Sequence, residues 1–353
     1  MTLPTQSLQS ATYELPDMLE VNEFYQDKGW TDGLPIIPPT EELVLACLEA
    51  GGLEAADVVG VERLRERPII AEKVAVNAVM AGCKPAYMPV VVAVVRAMCQ
   101  EPFNLHGSTA STGGSAPFII VNGPIRNAIG LNATHNVLAN SSRANATIGR
   151  AIRLLLINVL GCIPGQLDRS TLGHPGKFTF CVAEDEEDSP WTPLAQERGV
   201  PQGVSGVTVM ACEAPRQAMN EWTHDPEEIV ETFAAEMRHN MLTYSVWSGN
   251  YVLIIPKQLR ELITAAGWTK DDIREYIFRS ARVFRHQWAT VGKANIVHRS
   301  GGPKQEFTAL RVPEDLLVVA AGGPAGGFGA IIPPWLGSKA KAITQAIDHE
   351  KTT

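Results

Sequence analysis

Two hydrophobic periods alternate along the chain. Helix-spaced apolar positions follow Thr40, an N-cap with Glu41 and Glu42 in its first turn and Gly51-Gly52 as its stop. They recur over residues 71–81, and again from Pro89, a favoured first-turn proline. A long helix is expected over 143–160, capped by Ser142 and ended by Gly161. Others are expected from Pro226 to about His239, from Pro256-Lys257 to near Gly267, from Thr269, and from Ser338 onward. Short continuous apolar runs read as buried strands at 118–121, 178–183, 204–211, 251–255, 316–320 and 330–332.

Strands alternating with helices indicate an α/β protein, a mixed sheet flanked by helices in two lobes. Residues 1–40 read as an extended arm, because each proline of Gly33-Leu-Pro-Ile-Ile-Pro-Pro39 restricts its predecessor. Residues 41–213 form one expected lobe and 214–353 the second, with the change of texture near 214–226. Residues 104–117 have neither period and read as a loop.

Composition narrows the class. Of 353 residues, 45% are hydrophobic and 19% charged, enough for a large core. The net charge of −8 argues against a general nucleic-acid binder, which needs a basic surface. The N-terminus has neither a basic start nor an apolar run, and the longest apolar stretch, 88–98, is short and interrupted by Arg96. A soluble cytoplasmic protein is expected. Six cysteines stand at wide spacings without a CxxC pair, so they are expected to be mostly free and buried. Asn-x-Ser/Thr triplets at Asn132, Asn140 and Asn145 carry no meaning without a secretory signal.

Candidate chemistry sits in four places. Arg143 and Arg150 share a stripe of the long helix, whose opening turns hold no acid, so an anion at that end would be favourable. The competing reading is a pair of arginines bound to distant acids or to solvent. The hydroxyl- and glycine-rich loop from Ser108 can form an anion nest through Thr112, Gly113 and Gly114, and His106 and Asn104 at its start are candidate proton-transfer and positioning groups. His174, fixed between Gly173 and Pro175-Gly176, and Lys177 and Glu184 form an expected acid–base set. The acidic run from Glu184 to Asp188 otherwise reads as solvated. Gly322, Gly323, Gly326 and Gly327 follow a strand, but neither the spacing nor the strand that comes next fits a dinucleotide fingerprint. No cofactor is therefore assigned. The eight histidines, His349 the last, contain no local metal-ligand pair, and a metal site would need residues such as His106, His174 and Glu184 brought together by the fold.

Gly29-Trp-Thr-Asp-Gly-Leu-Pro-Ile-Ile-Pro-Pro-Thr40, Lys73-Val-Ala-Val-Asn-Ala-Val-Met-Ala-Gly-Cys83, Arg143-Ala-Asn-Ala-Thr-Ile-Gly-Arg150 and Ser170-Thr-Leu-Gly-His-Pro-Gly-Lys177 are specific motifs spread over most of the chain. Together they resemble a largely uncharacterised bacterial family found near proteins with a UGSC or CGSC selenocysteine/cysteine motif. The resemblance implies one component of a thiol/selenol redox pair, with a thiol- or selenol-bearing protein partner. The residues themselves favour an enzyme on a small carboxylate or phosphate, acting by acid–base chemistry, whose reaction class stays open between lyase, hydrolase and oxidoreductase component. A metal-dependent hydrolase and a non-catalytic subunit or binding protein are the alternatives. No membrane or nucleic-acid partner is expected, and a homo-oligomer is.

Overall fold

Phe118 and Ile120 point to one side of their strand, and Ile119 and Val121 to the other. This period of two recurs in both sheets and decides the layering. The structure, a computed structural model, describes residues 7–139, 142–244, 247–299 and 301–347. Asn140 and His349 lie outside the described residues.

The chain runs through helices α1 (Met18–Asp27) and α2 (Glu41–Ala50), the hairpin β1 (Val58–Glu62) and β2 (Arg67–Ile70), and helices α3 (Ala71–Ala81), α4 (Met88–Met98) and α5 (Leu105–Thr109). Then come β3 (Ala116–Asn122), α6 (Ile125–Ala128), α7 (Arg143–Asn158), β4 (Cys181–Ala183), α8 (Leu194–Glu197) and β5 (Gly206–Cys212). β6 (Arg216–Met219), α9 (Pro226–Thr243), β7 (Tyr251–Ile255), α10 (Lys257–Ala265), α11 (Lys270–Ser280) and the hairpin β8 (Arg282–Phe284) and β9 (Glu306–Thr308) follow. β10 (Leu316–Ala320), β11 (Phe328–Ile332) and β12 (Ile343–Ala346) close the order.

The architecture is α/β, with two mixed four-stranded sheets ordered β12-β5-β3-β4 and β10-β7-β11-β6. The β3–β4 and β7–β10 pairs are parallel, and the other pairs within these sheets are antiparallel. The sheets face each other through Phe118, Ile120, Val182 and Met210 on one side and Val252, Ile254, Leu317 and Val319 on the other. The alternate residues turn outward. Ile119, Val121, Val207 and Val209 meet α3, α4 and α7, while Tyr251, Leu253, Leu316 and Val318 meet α9, α10 and α11. Four layers result: helices, sheet, sheet, helices. α4 is apolar on nearly all sides because it is enclosed within the first helical layer. Among the described residues no single helix is long and apolar enough to cross a membrane.

The chain passes from the first sheet to the second at 213–215, and it returns at 333–335 beside that crossing. There the Glu213 N–H donates to the Pro333 carbonyl at 2.9 Å. The C-terminal strand β12 belongs to the first sheet, antiparallel to β5. The helix expected after Ser338 does not form. A turn onto Leu336 ends there, and the edge of β5 recruits Ile343-Thr-Gln-Ala346 as a strand.

Two other expectations need correction. The arm is not wholly extended, since Asp17 caps α1 by accepting from the Leu19 and Glu20 N–H groups. The loop at 104–117 contains α5, capped by Asn104 in the left-handed region. The proline segment 35–39 is irregular as expected and lies along α3, where the Ile37 N–H meets the Met80 carbonyl.

Arg150 fastens this arm. Its guanidinium forms two hydrogen bonds to Asp32, at 2.8 and 2.9 Å, and reaches the Leu34 and Pro35 carbonyls. Burial pushes the Asp32 carboxyl up, but Arg150 and the Leu34 N–H outweigh it and hold it below the usual range. Such a group stabilises the fold above its unfolded pKa of about 3.9, and the contribution is lost as pH falls through the folded value. Asp32→Asn is therefore expected to cost about 1–3 kcal/mol near neutrality and to expose the arm to protease. Urea unfolding at falling pH should show the difference from wild type shrinking below about pH 4.

Candidate active site

A cleft of about 660 Å³ opens between the arm, α7 and the turn at 172–178. Arg153 and Ile157 of α7 form one wall, Gly29, Thr31 and Asp32 a second, and His174, Lys177 and Phe178 a third. The turn keeps its shape for local reasons. His174 is extended, Pro175 opens a short 3-10 turn, and Nδ1 of His174 accepts the Gly176 N–H at 3.1 Å.

Behind the wall lies a charged chain of contacts. The Lys177 ammonium donates to Asp168 Oδ2 and to Ser170 Oγ, both at 2.7 Å, and Ser170 Oγ donates to Asp168 Oδ1 at 2.6 Å. Arg153 reaches the same Oδ2 at 3.4 Å. Asp168 is only 4% exposed. Burial raises its pKa, but the hydrogen bonds from Lys177 and Ser170 lower it further, so it stays ionised. Two cations thus share one carboxylate. Glu213 acts on Lys177 only through space, with no ion-pair contact between them, so the two cations can still take a further anionic group at the cleft wall.

His174 is neutral near pH 7, because burial lowers its pKa and Lys177 adds to that against the Cys212 backbone. With Nδ1 accepting from Gly176, the neutral ring carries its proton on Nε2. That nitrogen is buried and faces the Cys212 backbone without a well-formed hydrogen bond among the described residues. Such a ring can donate to a developing oxyanion or act as an acid, and this tautomer is not a base at Nε2.

Thr112, Gly113 and Gly114 support this turn. The Thr112 carbonyl accepts the Thr171 N–H at 3.0 Å, and the Gly113 N–H donates to Ser111 Oγ at 3.0 Å. Gly114 packs on Gly173 so closely that a Cβ would stand 2.5 Å from the Gly173 Cα. Asn104 caps α5 and holds the Lys339 carbonyl at 3.0 Å.

The remaining expected residues lie elsewhere. Arg143 donates from Nε to the Gly82 carbonyl at the C-terminus of α3, where a cation complements the helix dipole. Arg150 is occupied by Asp32, so the reading of both arginines as anion ligands is replaced by distant partners for each. His106 stands 3.8 Å from Glu62, at the β1 hairpin. Gly326 and Gly327 donate their N–H groups to Gln258 Oε1, Gly322 donates to the Ala133 carbonyl, and Gly323 abuts His135.

Glu184 follows β4, whereas Lys177 precedes it. Glu184 is 1% exposed and accepts from Asn122, the Leu194 N–H and Lys270 at 2.7, 2.7 and 3.1 Å. It is an interior strut and not part of an acid–base set with His174. The rest of the acidic run is paired too: Asp185 with Arg260, Glu186 and Glu187 with Arg126, and Asp188 with Lys257. The solvated-loop reading therefore gives way to ion pairs with Arg126 of α6 and with Lys257 and Arg260 of α10, although Glu187 and Asp188 remain half exposed.

Four residues near the site escape sequence reasoning. Arg153 lies one helical position round from the stripe of Arg150, and Asp168 sits in an irregular segment. Glu213 and Tyr244 come together at the crossing between sheets, with Tyr244 Oη donating to Glu213 Oε1 at 2.5 Å. Burial raises the pKa of both, and the Glu213 charge raises that of Tyr244 further. Asp225 marks where α9 begins, but nothing in the sequence marks Tyr244 as its end.

All six cysteines are free; five are buried and Cys99 is partly so. Burial pushes Cys47 and Cys99 up to about 11 and Cys83 to about 12, and raises Cys162, Cys181 and Cys212 as well. Among the described residues no group of three or more His, Cys, Asp or Glu is placed to hold a metal ion. His106, His174 and Glu184 in particular have separate surroundings. No family model, curated protein or solved structure matches this chain.

Proposed function

We propose that this chain is an enzyme acting on a small anionic substrate, a carboxylate or phosphate, in the cleft between the arm and the 172–178 turn. One observation carries the reading: Lys177 and Arg153, which line that cleft, share the buried carboxylate of Asp168 behind its wall. This pair of cations binds the substrate's anionic group, and it stabilises negative charge that grows during reaction because its position is fixed beforehand. His174 supplies a proton or a hydrogen bond from Nε2.

The redox-pair role implied by the family resemblance is compatible with this only if the partner brings the thiolate or selenolate. The buried, raised thiols of this chain are poor nucleophiles.

A thermal-shift panel of small dicarboxylates, tricarboxylates and phosphates tests the reading. At least one member is expected to raise the melting temperature, since a ligand at about 100 times its Kd stabilises by about 2.7 kcal/mol. Lys177→Met and Arg153→Met should each abolish the shift. A full shift in both variants, or none with any anion, overturns the proposal.

A further inference from the structure

The 172–178 cleft is far larger than the anionic group its cations would hold. A carboxylate or phosphate takes the space of about two or three waters, roughly 30 Å³ each, in a cleft of about 660 Å³. That volume lies in the range of roughly 300–1,000 Å³ typical of sites for whole small molecules. The lining of the remaining space decides what fills it.

The cleft changes from polar to apolar along α7. Arg150 holds Asp32, Arg153 reaches Asp168, and Ile157 follows at helical spacing on the same side. A few residues past the end of α7, Ile163 and Pro164 continue the apolar wall. Asp32 adds no free charge to the polar end. Its side chain is 3% exposed, and Arg150 bonds both of its oxygens.

The 172–178 turn adds Leu172 and Phe178 to the lining. They are 95% and 52% exposed. Large apolar side chains gathered at one cleft lose free energy to water until something covers them. A fixed backbone presents both. Gly173, at a φ of +69°, packs on Gly114 beside Leu172, and Lys177 is tied to Asp168 and Ser170 beside Phe178.

We propose that the substrate of this cleft is an amphiphilic anion, a carboxylate or phosphate that carries a hydrocarbon tail. The inference rests on the anion-site reading above and adds the substrate's second half. Lys177 and Arg153 take the head group. Ile157, Ile163, Leu172 and Phe178 take the tail, so chain length sets specificity.

Butyrate, hexanoate and octanoate are the probes, titrated into the full chain by ligand-observed NMR, with hexanamide as the neutral control. A fully buried methylene is worth about fourfold, ~0.8 kcal/mol. With partial burial, affinity is expected to rise at least ~10-fold from butyrate to octanoate. Hexanamide should bind at least ~5-fold more weakly than hexanoate. The double variant Leu172→Ser/Phe178→Ser changes exposed side chains, so the fold persists, and the rise should drop below ~3-fold. Lys177→Met and Arg153→Met should weaken all three acids alike. Equal affinity for the three acids, no binding of any at about 10 mM, or an undiminished rise in the double variant would overturn the tail site and leave the anion cleft to its own test. Hexanamide binding as tightly as hexanoate would overturn the head-group contact, and the anion reading with it.

Discussion

Glu184→Ala is expected to destabilise the protein by about 3 kcal/mol, at the lower end of the cost of breaking a buried pair. Glu184 and Lys270 are 1% and 4% exposed and meet at 3.1 Å. Removing the carboxylate leaves the ammonium deep in the fold, and the Asn122 amide and Leu194 N–H lose their acceptor. Lys270 keeps Glu197 at 3.2 Å and the Thr192 carbonyl at 2.7 Å, which limits the loss. Urea unfolding measures it. A change under about 1 kcal/mol would show that the strut is not a strut. An active-site role for Glu184 would instead predict lost turnover at unchanged stability.

Gly149→Ala is expected to destabilise, although the usual helix preference favours alanine over glycine by about 1 kcal/mol. Gly149 sits inside α7 where that helix crosses the approach to β4. A Cβ there would stand 2.6 Å from the Phe180 N and even closer to Thr179 Oγ1. Backbone cannot yield as a flexible side chain can, so overpacking of about 1–3 kcal/mol outweighs the propensity gain. The same shift would move Phe180, whose ring lies 5.9 Å from that of His174. Equilibrium unfolding decides the sign; a stabilised variant would mean that α7 and the β4 approach are further apart than described.

Local signals made much of the fold legible. α3, β7 and β10 have the bounds their apolar patterns suggest, because their ends are marked by Gly82, Pro256 and the break after Ala320. α11 carries its capping box, Thr269 with Asp272. β12 was not legible: Ile-Thr-Gln-Ala is a strand only because β5 offers an open edge. The pairing of the acidic run is not legible because its partners Arg260 and Lys270 lie 75 and 86 residues away from Asp185 and Glu184.

The site divides in the same way. His174 and Lys177 stand out in a glycine- and proline-bounded turn, and the cleft contains both. Arg153 and Asp168 are ordinary residues until the fold brings them to Lys177. Arg143 and Arg150 looked unpaired only because a helix dipole argument sees the helix they sit on, not the α3 terminus or the arm that receives them.

The most direct test of the central claim is calorimetric titration of the best-binding small anion into wild type, Lys177→Met and Arg153→Met, at low and high salt. The account predicts one site per chain, with affinity falling at least ~10-fold in each variant and weakening as salt rises. Equal affinity in all three proteins would contradict it.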